Sequence, residues 1–491
     1  MSKSSSLVSK YRKDLLELYK CAIDSVSPIR LIKDIVKIRD KTLTITNLVT
    51  HQADVSLDLS DSNIHVIGGG KCVLSMACGL AEVTNQAGLA NLCSGGLLSL
   101  PIGLKPTYEN DARTKDLLDS IGIECMFGAE NNLPDLDSVG ATRTLLEKVS
   151  SACSEDRILG RNPLFIVLLS GGGSACLTSP RYVDLDRKLE LSRVLVQQGA
   201  DIVELNQVRQ CLSNVKGGQL AKHILSGHDD SRILSLIISD VIGDPIEYIA
   251  SGPTSISADN DHKLDRMFDI LRKHDCPGSQ ELRTKVGSCS EARSDFCTRT
   301  VINRVIGNNT KAIEAVSDLA RSWGYEVCNL GSNLQGSSHD VVDKIVNAGR
   351  ELSSLGTRRA LVVGGGEVTI NKLANESWGK GGRAQEMALD YLLMISQRKV
   401  DRNSSDLDTD MFLAGGTDGQ DGPTGKAGCI VSLKQWIHEG WRASNVDEMK
   451  RAKASHDSYN FWQRHKPEWQ IETGLTGTNV MDLYMYLIAR E

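Results

Sequence analysis

Apolar residues along this chain gather in short unbroken runs that stop abruptly at glycine. Asn63-Ile-His-Val-Ile67 ends in Gly68-Gly69-Gly70-Lys71, and Leu164-Phe-Ile-Val-Leu-Leu169 ends in Ser170-Gly171-Gly172-Gly173-Ser174. Ala360-Leu-Val-Val363 runs into Gly364-Gly365-Gly366-Glu367, and Met411-Phe-Leu-Ala414 into Gly415-Gly416-Thr417-Asp418-Gly419. A fifth run, Ile233-Leu-Ser-Leu-Ile-Ile238, ends instead in Ser239-Asp240 and reaches Gly243-Asp244. Unbroken Val, Ile and Leu without polar alternation predict parallel strands covered on both faces. In open α/β sheets ligands bind outside the carboxyl ends of such strands, where these glycine, hydroxyl and carboxylate loops would stand.

Between the runs, apolar residues fall into a 3.6-residue period. This predicts helices over residues 11–26, 309–323, 341–355 and 383–396. Val208, Leu212 and Val215 keep the period after Asn206, read as an N-cap, which would place Arg209, Ser213 and Lys216 on the opposite, polar face. Residues 279–299 are polar and patternless. The domain junction is therefore expected there, with one α/β domain over 1–285 and a second over 286–491, the first Rossmann-like with a mainly parallel sheet. Residues 397–410 read as a charged, solvated loop. Residues 434–469 carry four of the six Trp residues and suggest no function.

Length and composition fit this picture. A chain of 491 residues is too long for a single core, and 40% hydrophobic with 24% charged residues is ordinary for a globular protein. A net charge of −6 argues against a nucleic-acid or acidic-membrane partner. No apolar run nears the roughly 18 residues needed to cross a bilayer. The 13 cysteines are odd in number and lack a C-x-x-C pair, so free thiols in a reducing compartment are expected. The basic, serine-rich start leaves a mitochondrial destination open, but Asp14 and Glu17 follow at once. The cytoplasm is the expectation. A homo-oligomer is compatible with the sequence. His65, inside an apolar run, reads as a satisfied core histidine.

Phosphate chemistry needs backbone N–H groups open to close approach, fixed cations, and carboxylates for Mg²⁺. Gly69, Gly70, Gly171, Gly172 and Gly173 offer the first, helped by the hydroxyls of Ser170 and Ser174. Lys71 and Arg383 offer the second, and Asp240, Asp244, Asp418 and Asp421 the third. Arg383 opens a helix, where positive charge opposes the macrodipole unless an anion is shared there. Known phosphate and hydrolase motifs fail on spacing. A Walker A loop ending at Lys71 would need glycine at His65 and a hydroxyl at Cys72. The dinucleotide fingerprint fails at Val73, and the hydrolase elbow at Cys176. Asn206, Arg209, Ser213 and Lys216 either face the site or form an ordinary polar face. Glu367 either bonds loop amides or touches nucleotide.

In order, these segments resemble the glycerate kinase family that joins an N-terminal glycerate kinase domain to a C-terminal MOFRL domain. The resemblance runs from Gly68–Lys71 through Leu169-Ser-Gly-Gly-Gly-Ser-Ala175 and Asn206-x-Val-Arg209-x-x-Leu-Ser213-x-x-Lys216-Gly-Gly218. It continues in Ile238-Ser-Asp-Val-x-Gly-Asp244, Ala250-Ser-Gly-Pro-Thr254, Gly364-Gly-Gly-Glu367 and Gly379-x-Gly-Gly-Arg383-x-Gln385-Glu386. It closes with Thr417-Asp-Gly-x-Asp-Gly-Pro-Thr424 and Thr476-Gly-Thr-Asn479.

The resemblance implies an ATP- and Mg²⁺-dependent kinase that phosphorylates D-glycerate, giving 2-phosphoglycerate, in a cleft between two α/β domains. It implies Lys71 and Arg383 as active-site cations facing one anion. Asp240 would orient the glycerate hydroxyl, and Asp240, Asp244 and Asp418 would reach Mg²⁺. The glycine loops, with Asn206, Arg209, Ser213, Lys216, Glu367 and Asn479, would hold the nucleotide. Ala384, Val368 and Leu475 depart from the residues common in relatives (Asn, Thr and Pro). Two rival readings are an α/β oxidoreductase acting on small hydroxy acids and a non-catalytic metabolite-binding homologue.

Overall fold

The computed structural model describes residues 3–47, 52–256, 263–287, 300–370, 378–399, 409–440 and 443–489. They divide into two compact units, Pro28–Ile306 and the pair Met1–Ser27 with Gly307–Glu491.

The Pro28–Ile306 unit opens with an antiparallel sheet of β1 (Val36–Arg39), β2 (Thr42–Thr46) and β3 (Ala53–Asp58). Its main sheet contains β4 (Ser62–Gly69), β5 (Cys93–Pro101), β6 (Ile123–Gly128), β7 (Asn162–Ser170), β8 (Arg232–Ile238) and β9 (Val301–Gly307), in the order β6-β5-β4-β7-β8-β9. The pairs β4/β5, β4/β7, β5/β6 and β7/β8 are parallel. Every residue of β4 is buried, which explains the missing polar alternation. Helices Leu136–Leu159 and Gln219–Gly227 bring Leu145, Val149 and Ile224 onto Ile67, Phe165, Val167 and Ile237. From β4 the chain steps to β5 and β6 on one side and to β7 and β8 on the other. The reversal falls between β4 and β7, and the crevice outside their carboxyl ends is where such sheets take ligands.

The second unit holds β10 (Glu326–Asn329), β11 (Leu334–Ser337), β12 (Arg359–Thr369), β13 (Thr409–Gly416), β14 (Gly428–Val431), β15 (Gln470–Ile471) and β16 (Asp482–Ala489). Its sheet runs β10-β12-β16-β13-β14-β15, with β11 beside β12. The glycine-ended strands β12 and β13 point the same way, but β16 lies between them, antiparallel to both. The sheet is therefore mixed. Helices Ser338–Ser354 and Arg383–Lys399 bury Val342, Ile345, Met387 and Tyr391 over it.

Two expected boundaries move. The first helix, Lys3–Ser25, belongs with the second half of the chain rather than with an N-terminal domain. Leu15, Leu18, Tyr19 and Ala22 are fully buried against the helix Asn309–Ser322 and strands β13 and β16, and the Tyr19 hydroxyl donates to Gly416 O at 2.5 Å. The helix expected after Asn206 starts earlier, over Ile202–Cys211. Asp201 caps it and accepts from Glu204 N at 2.8 Å, with Glu204 reaching back in a capping box. Asn206 is an interior, buried helix residue, and Ser213 and Lys216 lie beyond the helix end.

Of the expected junction, residues 279–287 are helical and 288–299 lie outside the described residues. Residues 400–408 of the expected charged loop also lie outside them; 397–399 complete a helix and 409–410 begin β13. The Trp-rich stretch is core. Trp436, Phe461, Trp462 and Trp469 are buried together, with ring centroids 5.5 Å apart for Trp436 and Trp469. All eleven cysteines among the described residues are free thiols. No described helix is long and apolar enough to cross a membrane. His65 is the satisfied core residue expected: its Nε2 lies 2.8 Å from Asp156 Oδ2 and its ring stacks on Phe165.

Candidate active site

In the Pro28–Ile306 unit, two glycine turns interlock at the ends of β4 and β7. Lys71 N donates to Gly171 O at 2.8 Å, and Cys72 N donates to Ser170 Oγ at 3.0 Å. Gly70 has φ +137°, and a Cβ there would lie 2.4 Å from Ser170 Oγ. A Cβ on Gly171 would sit 1.9 Å from Asp240 Oδ2, and one on Gly172 would sit 3.1 Å from Lys71 Cγ and 3.0 Å from Asn132 Oδ1. These turns are therefore glycine because the Asp240 carboxylate and the Lys71 stem press directly on their backbone. Three segments that are distant in sequence thus bring an ammonium stem and a carboxylate to one patch of bare main chain. Asp244 sits in a left-handed turn (φ 54°) and donates its N–H to Val241 O at 3.1 Å.

A second network fixes the back of this patch. Ser174 opposes Ser251, with the two hydroxyls 2.8 Å apart. Ala250, Ser251 and Gly252 form a left-handed run, and the carbonyls of Ser251 and Gly252 accept from Gly217 N and Gly218 N at 2.9 and 2.7 Å. Lys216 is buried and donates Nζ to Ser174 O at 2.6 Å and to Leu177 O at 2.7 Å. Ser213 Oγ accepts from Val215 N and Lys216 N, so its hydroxyl shapes the local turn. Burial, then the nearby Lys188 and Arg209 charges, pushes the Lys216 ammonium well down. Burial, then Arg209, pushes Lys188 down to about 7, and burial also lowers Arg209.

Lys188 was not anticipated. A signal existed, because it shares the buried stripe of the helix Leu185–Gln197 with Leu185, Leu191 and Leu195, where a lysine is out of place.

The second unit gathers the remaining loops at one end of its sheet. Asp482 opens the central strand with Gly366 on one side and Gly416 on the other. Arg383, first residue of its helix, donates Nε to Asp482 Oδ2 at 2.7 Å and Nη2 to Oδ1 at 3.3 Å, and pairs with Glu367 through Nη1. Burial would lower the guanidinium, but Asp482 and Glu367 outweigh it and raise it. Burial pushes Asp482 up to about 7 against the pull of Arg383.

Asp421 accepts from Ala384 N, Gln385 N and Gln385 Nε2, each at 2.9 Å, and so anchors the helix N-terminus. The anions that make a cation at this helix start tolerable are thus the protein's own carboxylates. Asp418 Oδ1 accepts from Gln420 N at 3.0 Å, and Asn479 Oδ1 accepts from Met481 N at 3.2 Å.

Sequence reasoning missed Asp482, an acid at the head of an apolar run whose neighbours only the sheet reveals. Among the described residues no three His, Cys, Asp or Glu side chains group as a metal-holding set. The departures are accommodated: Ala384 and Val368 are buried, and Leu475 is exposed.

Residues 14–287 match the model of a domain of unknown function (DUF4147), and residues 360–482 match the MOFRL family. The chain is 31% identical to the glycerate kinase of Mus musculus, over 87% of this chain and 84% of that one. The chain belongs to the glycerate kinase family. The family extends to Thermotoga maritima, whose D-glycerate 2-kinase is 29% identical over 74% of this chain and 80% of its own. The crystal structure of glycerate kinase from that organism superposes with a TM-score of 0.74 at 25% identity, covering 98% of this chain and all of the other. Both glycine-turn clusters lie within the two matched segments.

Proposed function

We propose that this enzyme transfers the γ-phosphoryl group of ATP to a hydroxyl of D-glycerate, giving 2-phosphoglycerate and ADP. The observation that carries the reading is the pair of interlocked glycine turns at the strand-order reversal, with Lys71 and Asp240 against them. Bare N–H groups there suit phosphate oxygens. The names of the curated relatives support the substrate.

Phosphoryl transfer passes through a loose transition state, so positioning and charge neutralisation carry most of the rate and a strong base is dispensable. In this reading Asp240 accepts the hydrogen bond of the attacking hydroxyl and orients it. Lys71 holds the substrate carboxylate or the migrating phosphoryl oxygens. Arg383 stabilises phosphoryl charge, held in its rotamer by Asp482 and Glu367. The glycine turns, Ser170 and Ser174 bind nucleotide phosphates.

Mg²⁺ bound with ATP would neutralise phosphate charge. Such an ion is held mainly by phosphates and one or two acids, for which Asp240, Asp244 and Asp418 are the candidates. ADP release coupled to D-glycerate and MgATP tests the activity, and phosphorus NMR of the product tests the position. No glycerate-dependent ADP release would sink the reading; a 3-phosphoglycerate product would overturn its regiochemistry.

A further inference from the structure

Lys188 and Lys216, both buried, and the half-buried Arg209 form a cationic group within the Pro28–Ile306 unit. Like charge is felt among them: Lys188 and Arg209 both act on Lys216, and Arg209 acts on Lys188. Among the described residues no carboxylate pairs with any of the three. Lys216 satisfies its ammonium on Ser174 O and Leu177 O. Lys188 does not: its Nζ is buried without a hydrogen-bond partner, and its side chain is only 6% exposed.

An ammonium has three N–H donors, and leaving them dry and unpaired is strongly unfavourable. An ordinary core would place leucine at this stripe position, as it does at Leu185, Leu191 and Leu195. The group is also not remote from the candidate site. Lys216 joins it to the carbonyls of Ser174, within the turn Gly173–Cys176, and of Leu177, which caps that turn just after the glycines that follow β7.

We propose that Lys188 and Arg209 form an oxyanion subsite beside the glycine turn, taking a carboxylate or phosphate oxygen of a bound ligand, with Lys216 as the strut that ties it to Ser174. The inference rests on the phosphotransferase reading for its two candidate sources, the glycerate carboxylate and the nucleotide or product phosphate. An entering oxyanion supplies the missing acceptor and holds Lys188 in its charged form.

Isothermal titration of the full chain, wild type and Lys188→Met, tests this with D-glycerate, inorganic phosphate and ADP as separate probes. At least one probe should bind the wild type and bind Lys188→Met at least tenfold more weakly, while the unliganded variant melts no lower than the wild type. Weakening of glycerate alone identifies the carboxylate, and weakening of phosphate and ADP identifies the phosphate. Equal binding of all three probes to both proteins overturns the subsite, as does a wild type that binds none. Should Lys188→Met not fold, the Lys188 ¹⁵Nζ resonance of the wild type, assigned by its loss in Lys188→Arg, must shift on saturation with a probe; an unmoved resonance overturns it equally. A wild type that binds oxyanions but releases no ADP with glycerate would sink the kinase reading and leave this subsite standing. Normal turnover with unaltered binding to Lys188→Met would do the reverse.

Discussion

Arg383 grips Asp482 with two nitrogens, Nε at 2.7 Å from one carboxylate oxygen and Nη2 at 3.3 Å from the other. The carboxylate is 5% exposed and the guanidinium 33%, so the acid is a buried mount for a cation whose far side pairs with Glu367. Arg383→Ala should lower turnover about 100-fold or more, the loss expected for a positioned transition-state donor. Asp482→Asn keeps the shape but weakens the mount, and should lower kcat by about tenfold. Coupled ADP assays on folded variants check both. Wild-type kcat in either variant would remove that residue from the mechanism.

Lys71 follows three glycines, and its stem lies against Gly172. Lys71→Ala should lower kcat/KM about 100-fold or more while leaving the circular dichroism spectrum unchanged. Near-normal turnover would assign the lysine to structure alone.

Gly171 has no room for a methyl group, because its Cβ would lie 1.9 Å from Asp240 Oδ2. Gly171→Ala should push Asp240 aside, lowering turnover and destabilising by roughly 1–3 kcal/mol. Gly140, within the helix Leu136–Leu159, meets nothing within 4 Å. Gly140→Ala should stabilise by about 0.5–1 kcal/mol with activity unchanged. Urea-denaturation midpoints would separate the two; equal effects would show that the Asp240 contact is not what requires Gly171.

Trp462 is fully buried, 6.1 Å from Trp469 by ring centroid, and donates Nε1 to Gln385 O at 3.1 Å. It joins the aromatic cluster to the helix that Arg383 begins. Trp462→Ala should destabilise by about 3–5 kcal/mol. A loss under about 1 kcal/mol in urea unfolding would mean that the cluster is not core.

Lys188 provides a pH test. Its ordinary value is 10.5, and in the fold burial and then Arg209 bring it down to about 7. Between these values the unfolded chain holds the proton and the folded chain does not, so this group makes stability rise with pH, by roughly 1.4 kcal/mol per unit. Below about 7 both states are charged and the penalty is constant. The stability deficit of the wild type against Lys188→Met should therefore shrink as pH rises from about 7 towards 10. A difference that stays flat across that window would show that no buried charge is being relieved.

Much of the fold was legible because burial leaves a local imprint. Strands β4, β7, β8, β12 and β13 lie on the apolar runs, and the helices Asn309–Ser322 and Ser338–Ser354 follow the apolar period. The glycine turns were legible because only glycine lets backbone meet Asp240 and the Lys71 stem so closely. Asn206 misled because a good capping residue also serves inside a helix, while the capping box at Asp201 and Glu204 lay one turn earlier. The tryptophans between residues 434 and 469 were opaque because apolar burial among charged neighbours follows from packing rather than from spacing.

By itself the amino-acid sequence determined the elements, the glycine turns and the order of motifs that marks the family. Each of these follows from steric and hydrophobic preferences felt within a few residues. Only the tertiary structure decided that β16 enters between β12 and β13, that the first helix joins the last half of the chain, and that Arg383 meets Asp482 across 99 positions. It also decided that Lys188 and Lys216 are buried close to the half-buried Arg209. Pairing, burial and charge depend on neighbours that the chain brings together from afar, and no local pattern states who those neighbours are.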